Sequence, residues 1–219
     1  MSQEMIQIMI DGFFETLYMT FLSTAIAYVI GLPMGIFLVT TDKDGLTPNL
    51  VVNKVLNVIV NIVRSLPFLI LLIAVVPITR AIAGTSIGST ATIIPLVIAS
   101  APYIARLVEG SLREVDHGII EAMLSMGARP QQIILKGMLK EALPSLINGA
   151  AIATTTILGY SAMAGIVGGG GLGAIAINYG YYRTETLIML IAVVVLVLVV
   201  QIIQAIGDRI ALKIDKRKK

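Results

Sequence analysis

The 219 residues are 57% hydrophobic and only 13% charged, with a formal net charge of +3, whereas a soluble domain carries about 25% charged residues. Apolar blocks this long cannot all be hidden in a soluble core, and the small basic excess is better explained by membrane topology than by nucleic acid. The chain has no cysteine, which excludes disulfides and Cys-ligated metals.

The charges cluster and leave long gaps, each to be compared with the roughly 20 apolar residues that cross a ~30 Å hydrocarbon core. The first gap runs for 26 residues between Glu15 and Asp42 and predicts a helix over about 16–40. No Lys or Arg precedes residue 43, so this stretch lacks the basic flank of a cleaved secretory signal and is expected to be a retained span. A second span is expected over about 52–79, carrying Lys54, Arg64 and Pro67. Pro67 cannot donate to the carbonyl of Val63, which predicts a kink. An arginine inside a span faces water or a partner, so Arg64 either meets the carboxylate of a transported solute or braces a neighbouring helix. The third span, about 87–110, comes from the 25 uncharged residues between Arg80 and Arg106.

The polar stretch that follows reads Glu121-Ala122-Met123-Leu124-Ser125-Met126-Gly127-Ala128-Arg129-Pro130, and continues to Ala142-Leu143-Pro144. Asp116 suits the N-cap of a helix over 118–126 because its carboxylate can accept first-turn amides. Gly127 permits a left-handed exit, and Pro130 suits the first turn of a second helix over 130–142. The expected product is a stiff elbow with small residues at the bend.

A 41-residue uncharged gap follows Glu141 and predicts a fourth span over about 143–166. Thr154, Thr155, Thr156, Tyr160 and Ser161 put polar groups on it. In hydrocarbon such groups need partners or water. Tyr160, Ser161 and Met163 therefore either line a translocation path, with Met163 near its constriction, or make helix-packing contacts. Glycines 165–173 suit close helix approach or an unwound turn, and Gly165/Gly169 share small-xxx-small spacing with Gly31/Gly35. Gly168, Gly170 and Gly173 formally fit a dinucleotide fingerprint, but they follow a membrane helix instead of a strand. The last gap, 22 residues after Glu185, predicts a fifth span over about 186–207, ahead of a basic tail from Lys213 to Lys219 that suits an anchor at anionic headgroups.

Five spans put the termini on opposite sides. With the C-terminus in the cytoplasm, 13 of the 16 basic residues lie in the inner segments, only Arg80 and Arg183 lie outside, and Arg64 sits within a span, as the positive-inside bias demands. There is no P-loop, no nucleophile–base–orienter set, and at His117 no further ligand for a metal. The chain is expected to be no enzyme and to carry no cofactor.

Glu121, Ala122 and Gly127, followed by Ala142-Leu143-Pro144, resemble the EAA loop of ABC-importer permeases. The resemblance implies an all-α integral membrane fold, 1–219 as one transmembrane domain, with a cytoplasmic coupling helix in a loop of about 113–142. Glu121, Ala122, Ser125, Met126, Gly127 and Ala128 would dock on a separate ATPase. The chain departs from that pattern at Met123 in place of the second Ala, at Gly137 in place of an aliphatic residue, at Lys140 in place of Pro, and at Arg129 in place of a capping Ser or Thr. Softer strings, among them Arg64-Ser65-Leu66-Pro67-Phe68, Gly159-Tyr160-Ser161-Ala162-Met163 and Pro102-Tyr103-Ile104-Ala105-Arg106, resemble the permeases of methionine-uptake ABC transporters.

That resemblance implies a homodimeric pathway for methionine, in the L and also the D form, in the bacterial inner membrane. Implied partners are a second copy, two ATPase subunits bearing ATP and Mg, an extracytoplasmic substrate-binding protein and membrane lipid, with no nucleic acid. An ABC permease for another polar amino acid remains open. A secondary transporter is disfavoured, because the spans hold no Asp or Glu relay and no inverted repeat of discontinuous helices.

Overall fold

The computed structural model describes residues 3–215; of the basic tail, Lys216 to Lys219 lie outside the described residues. Every regular element among those described is helical. In chain order these are α1 (Gln3–Thr40), α2 (Leu50–Ser65), α3 (Phe68–Ala74), α4 (Val76–Ala83), α5 (Ser89–Arg113) and α6 (His117–Ser125). There follow α7 (Pro130–Gln132), a π-helical stretch (Ile133–Met138), α8 (Leu139–Glu141) and α9 (Leu143–Ala164), which ends in a 3₁₀ turn (Gly165–Val167). The chain then forms α10 (Gly171–Ile175), a second π-helical stretch (Ala176–Tyr181) and α11 (Thr186–Ile214).

Four helical stretches are long and apolar enough to cross a membrane: α1, α5, α9 with its 3₁₀ turn, and α11. The bent pair α2–α3 makes a fifth if counted as one span. α11 has the highest mean hydropathy, 3.2, and only 17% of its most apolar window is buried, against 72% for α5. α5 is thus clothed by protein, whereas α11 presents its side chains outward, as a lipid-facing helix does.

Two boundaries differ from expectation. α1 begins at Gln3 instead of near residue 16, because Glu4, Asp11 and Glu15 end the apolar gap without ending the helix; all three are exposed and helix-compatible. The span expected over 52–79 with a kink at Pro67 is instead three helices. The chain turns by 105° between α2 and α3, where Pro67 (φ −56°, ψ 133°) leaves the helical region. Its carbonyl accepts the amides of Ile70 and Leu71 and so starts α3 afresh.

The described residues form two compact units. The first comprises 3–27, 66–100 and 153–204 and is centred on Met9, Leu172, Ile175, Ile188 and Ala192. Its close approaches are made by glycine: a Cβ on Gly173 would strike the Ala162 backbone, and one on Gly180 would strike Met189. The second comprises 28–65, 101–152 and 205–215, with Leu38, Val60 and Ala105 at its centre. There the Gly31/Gly35 pair does what its spacing suggests. A Cβ on Gly31 would meet the Ala101 carbonyl oxygen at 2.7 Å, and one on Gly35 would meet Val108 at 2.6 Å. Without a hydrophobic drive between helices in lipid, such close contacts supply the association. Some hydroxyls bond back to the chain four residues earlier: Thr24 donates to the Thr20 carbonyl at 2.7 Å and Thr41 to that of Phe37 at 2.6 Å, whereas the buried hydroxyls of Thr20, Ser23 and Ser100 have no hydrogen-bond partner among the described residues.

Candidate coupling corner and translocation path

Asp116 caps α6 as its position suggests, with Oδ1 accepting from the Gly118 amide at 2.7 Å. The helix closes in a Schellman motif: the Gly127 amide donates to the Leu124 carbonyl at 2.9 Å and the Ala128 amide to that of Met123 at 3.0 Å. Such a closure needs a left-handed residue, and Gly127 supplies it at φ 73°. The second arm starts at Pro130. With no Ser or Thr at position 129, Gln132 reaches back and its Oε1 accepts from the Arg129 amide at 2.9 Å. This arm was expected as an α-helix over 130–142; it runs 130–141 and widens to π geometry over Ile133–Met138.

Two departures from the family pattern turn out to be one. A Cβ on Gly137 would meet Met123 Sδ at 2.7 Å, so the larger residue in the first arm fills the space left by the smaller one in the second. This contact sets how the arms pack. On the outside of the elbow, Glu121, Ala122, Ser125 and Gly127 are exposed, as are two large apolar side chains, Leu124 at 51% and Met126 at 76%. A loop outside the spans gains nothing from presenting these to water, and the patch has the chemistry of a protein-docking face. Ala128 is half-buried behind it. A cavity of about 610 Å³ adjoins the elbow, lined by Asp42, Asp44, Arg113, His117, Glu121 and Leu124 among others.

A polar network anchors the elbow's root. Arg113, at the end of α5, pairs with Asp42 at 2.7 Å and with Glu109 at 3.0 Å. Glu109, itself buried, also holds Arg106, whose guanidinium reaches Asn57 at 2.6 Å and Asn61 at 2.8 Å on α2. Asn53 continues the stripe by donating to the Leu38 carbonyl at 2.8 Å. Residues 53, 57 and 61 repeat every four positions on α2, a spacing that marks a polar helix face and that the span assignment from charge gaps passes over, since asparagine is uncharged. Outside the spans, the hydrogen bond from Arg113 and, behind it, that from the Lys43 amide hold the Asp42 carboxyl below its ordinary range.

Of the residues expected on the path, Tyr160 is half-buried and stacks on Phe68, with centroids 4.4 Å apart and planes within 4°. Met163 is 47% exposed. Ser161 is buried, and its hydroxyl donates within α9 to the Leu158 carbonyl at 2.7 Å. These three belong to the first unit. Arg64 belongs to the second; it is exposed in the last turn of α2 and has no ion-pair partner among the described residues.

Several long apolar helices and a glycine-turned elbow with an exposed apolar tip suit the membrane part of a transport system. Residues 29–217 match the family of binding-protein-dependent transport system inner membrane components, and the chain belongs to that family. It is 49% identical over 210 residues to the probable D-methionine transport system permease protein MetI of Vibrio cholerae, covering 96% of this chain and 93% of that one. It is 48% identical over 165 residues to the D-methionine transport system permease protein MetI of Escherichia coli K12, covering 75% and 76%. Among solved structures, inward-facing conformations of the MetNI methionine ABC transporter superpose with a TM-score of 0.97 at 47% identity, over 99% of this chain and all of that one. An amino acid ABC transporter with histidines shares the fold at 21% identity and a TM-score of 0.73.

Proposed function

We propose that this chain is the methionine-translocating subunit of an ATP-driven importer, working as a symmetric pair with an ATPase under each elbow. The observation that carries this reading is the agreement with the methionine permeases along nearly the whole chain, at close to half identity. Five spans are few to enclose a pathway, so a second copy is a physical need as well as an analogy. The elbow's exposed Leu124 and Met126 suit an apolar groove on the ATPase, which would hold the ATP and Mg. The distribution of Lys and Arg puts the elbow and C-terminus in the cytoplasm and the N-terminus outside, where a substrate-binding protein delivers its cargo. Closure of the ATPases on ATP would draw the two elbows together and tilt the helices from inward-open to outward-open; hydrolysis would reverse the tilt.

On this reading Tyr160 and Met163 line the path, Ser161 backs them from within the helix, and Arg64 stands free to meet a carboxylate. Uptake of labelled L- and D-methionine by the complete transporter in proteoliposomes tests the substrate. ATP-dependent accumulation of at least one enantiomer is expected. Indifference to both, with uptake of another polar amino acid, overturns the assignment.

A further inference from the structure

The segment after α9 holds three left-handed glycines within four residues: Gly168, Gly170 and Gly171, with φ of 85°, 81° and 74°. A run this permissive has little conformational preference of its own, yet here it is pinned from α1. Glu15 Oε2 accepts from the Gly171 amide at 2.7 Å, and Thr16 Oγ1 accepts from the Leu172 amide at 2.9 Å. These amides open α10, whose N-cap, Gly170, has no side chain to satisfy them. Thr16 is buried and also donates to the Gly12 carbonyl at 2.8 Å, so its hydroxyl is fully engaged. The glycines are what bring the backbone within reach: a Cβ on Gly170 would meet Glu15 Oε2 at 2.7 Å, and one on Gly171 would meet Thr16 Oγ1 at 2.7 Å.

Contact continues from α10 to the path. Gly173 lies against the Ala162 backbone, and Gly165 against the backbone of Gly173 and Ala174. Met163 follows Ala162 directly. A carboxylate on a membrane helix invites a role in binding solute or protons, but the oxygen of Glu15 is committed to a backbone amide.

We propose that Glu15 and Thr16 are positioning residues for transport: by capping α10 from α1 they fix the glycine run, and through it the α9 segment that carries Met163. The inference rests on the proposed placement of Met163 in the path. Loss of both caps lets the segment loosen, so the path leaks or fails to close while the ATPase continues to turn over.

The test uses the complete transporter in proteoliposomes. The chain has no cysteine, so Met163→Cys gives it a single thiol, whose modification by a membrane-impermeant maleimide from the binding-protein side reports closure. Coupling is read as methionine moved per ATP hydrolysed, with Met163 intact. Glu15→Ala combined with Thr16→Val is expected to raise modification and to lower coupling, each by about tenfold, as loss of two caps shifts a two-state segment. Glu15→Gln keeps an acceptor oxygen and is expected to stay within about twofold of the parent on both readouts.

Parent-like values in the double variant overturn the proposal. So does Glu15→Gln behaving like Glu15→Ala, which would assign the effect to charge. If the double variant does not assemble, Thr16→Val alone, with one bond lost at near-constant volume, must raise modification about threefold, and a parent-like rate there overturns the proposal too. If the thiol of Met163→Cys is unreactive in every nucleotide state with Glu15 and Thr16 unaltered, the path placement fails instead, and coupling alone decides on the caps.

Discussion

Gly35 and Gly110 are both helical glycines, and their surroundings assign them opposite roles. A Cβ on Gly35 would lie 2.6 Å from Val108 Cβ and 2.7 Å from the Ala105 carbonyl oxygen, whereas nothing lies within 4 Å of one built on Gly110. Gly35→Val forces α1 away from α5 and is expected to lower stability by about 1–3 kcal/mol. Gly110→Ala removes only backbone freedom and is expected to be neutral or stabilising by up to about 1 kcal/mol. Thermal unfolding of the detergent-purified transporter separates the two, and equal effects would refute the contact argument. Asp42 provides a pH-dependent contrast. Its carboxyl is held below the ordinary 3.8 first by the hydrogen bond from Arg113. A depressed folded value contributes stability that is complete above 3.8 and is lost as pH falls through the folded value. The side chain is partly exposed, so the contribution is screened and small. Asp42→Asn should melt below the parent at pH 7, and the gap should narrow as the pH falls below 3.8 through the depressed value.

At the scale of elements, the elbow behaves as a unit whose arms must match. Met123 Sδ occupies the place of a side chain at Gly137, so Gly137→Leu overpacks the joint and Met123→Ala hollows it, each expected to cost about 1–3 kcal/mol. Together they exchange large for small and should cost less than the sum, with a coupling of at least about 0.5 kcal/mol. Additive losses in a thermal-unfolding cycle would show that the arms do not read each other. Much of this element was legible in the sequence, because its signals are local. The Asp116 cap, the left-handed Gly127 and the Pro130 start each act within a few residues. The widening to π geometry and the Met123–Gly137 fit depend on how two arms meet, which no local pattern encodes. The same divide holds elsewhere. Pro67 announces a break but not a turn of 105°, and a glycine run announces freedom but not the carboxylate of Glu15, 156 positions away, that restrains it. The stripe at Asn53, Asn57 and Asn61 was readable by spacing. Its meaning appears only once Arg106 is seen to cross from α5 to Asn57 and Asn61.

The direction proposed for the whole molecule in the membrane rests on charge, since 13 of its 16 basic residues fall on one side of the expected topology and translocating them would be unfavourable. Two exposed positions outside the spans give a direct check, again because the chain has no cysteine. Asp44, in the turn between α1 and α2, is 82% exposed, and Tyr182, between the second π-helical stretch and α11, is 67% exposed. In sealed right-side-out vesicles, a membrane-impermeant maleimide should modify Tyr182→Cys and spare Asp44→Cys. In inverted vesicles the pattern should exchange. The reverse result would put the elbow, with Leu124 and Met126 at its tip, on the side where there is no ATP. An ATPase could not then engage it, so this labelling experiment tests the energy source of the transporter as well as its topology. Labelling of both positions in both preparations would point to mixed insertion, which a basic excess this one-sided should prevent.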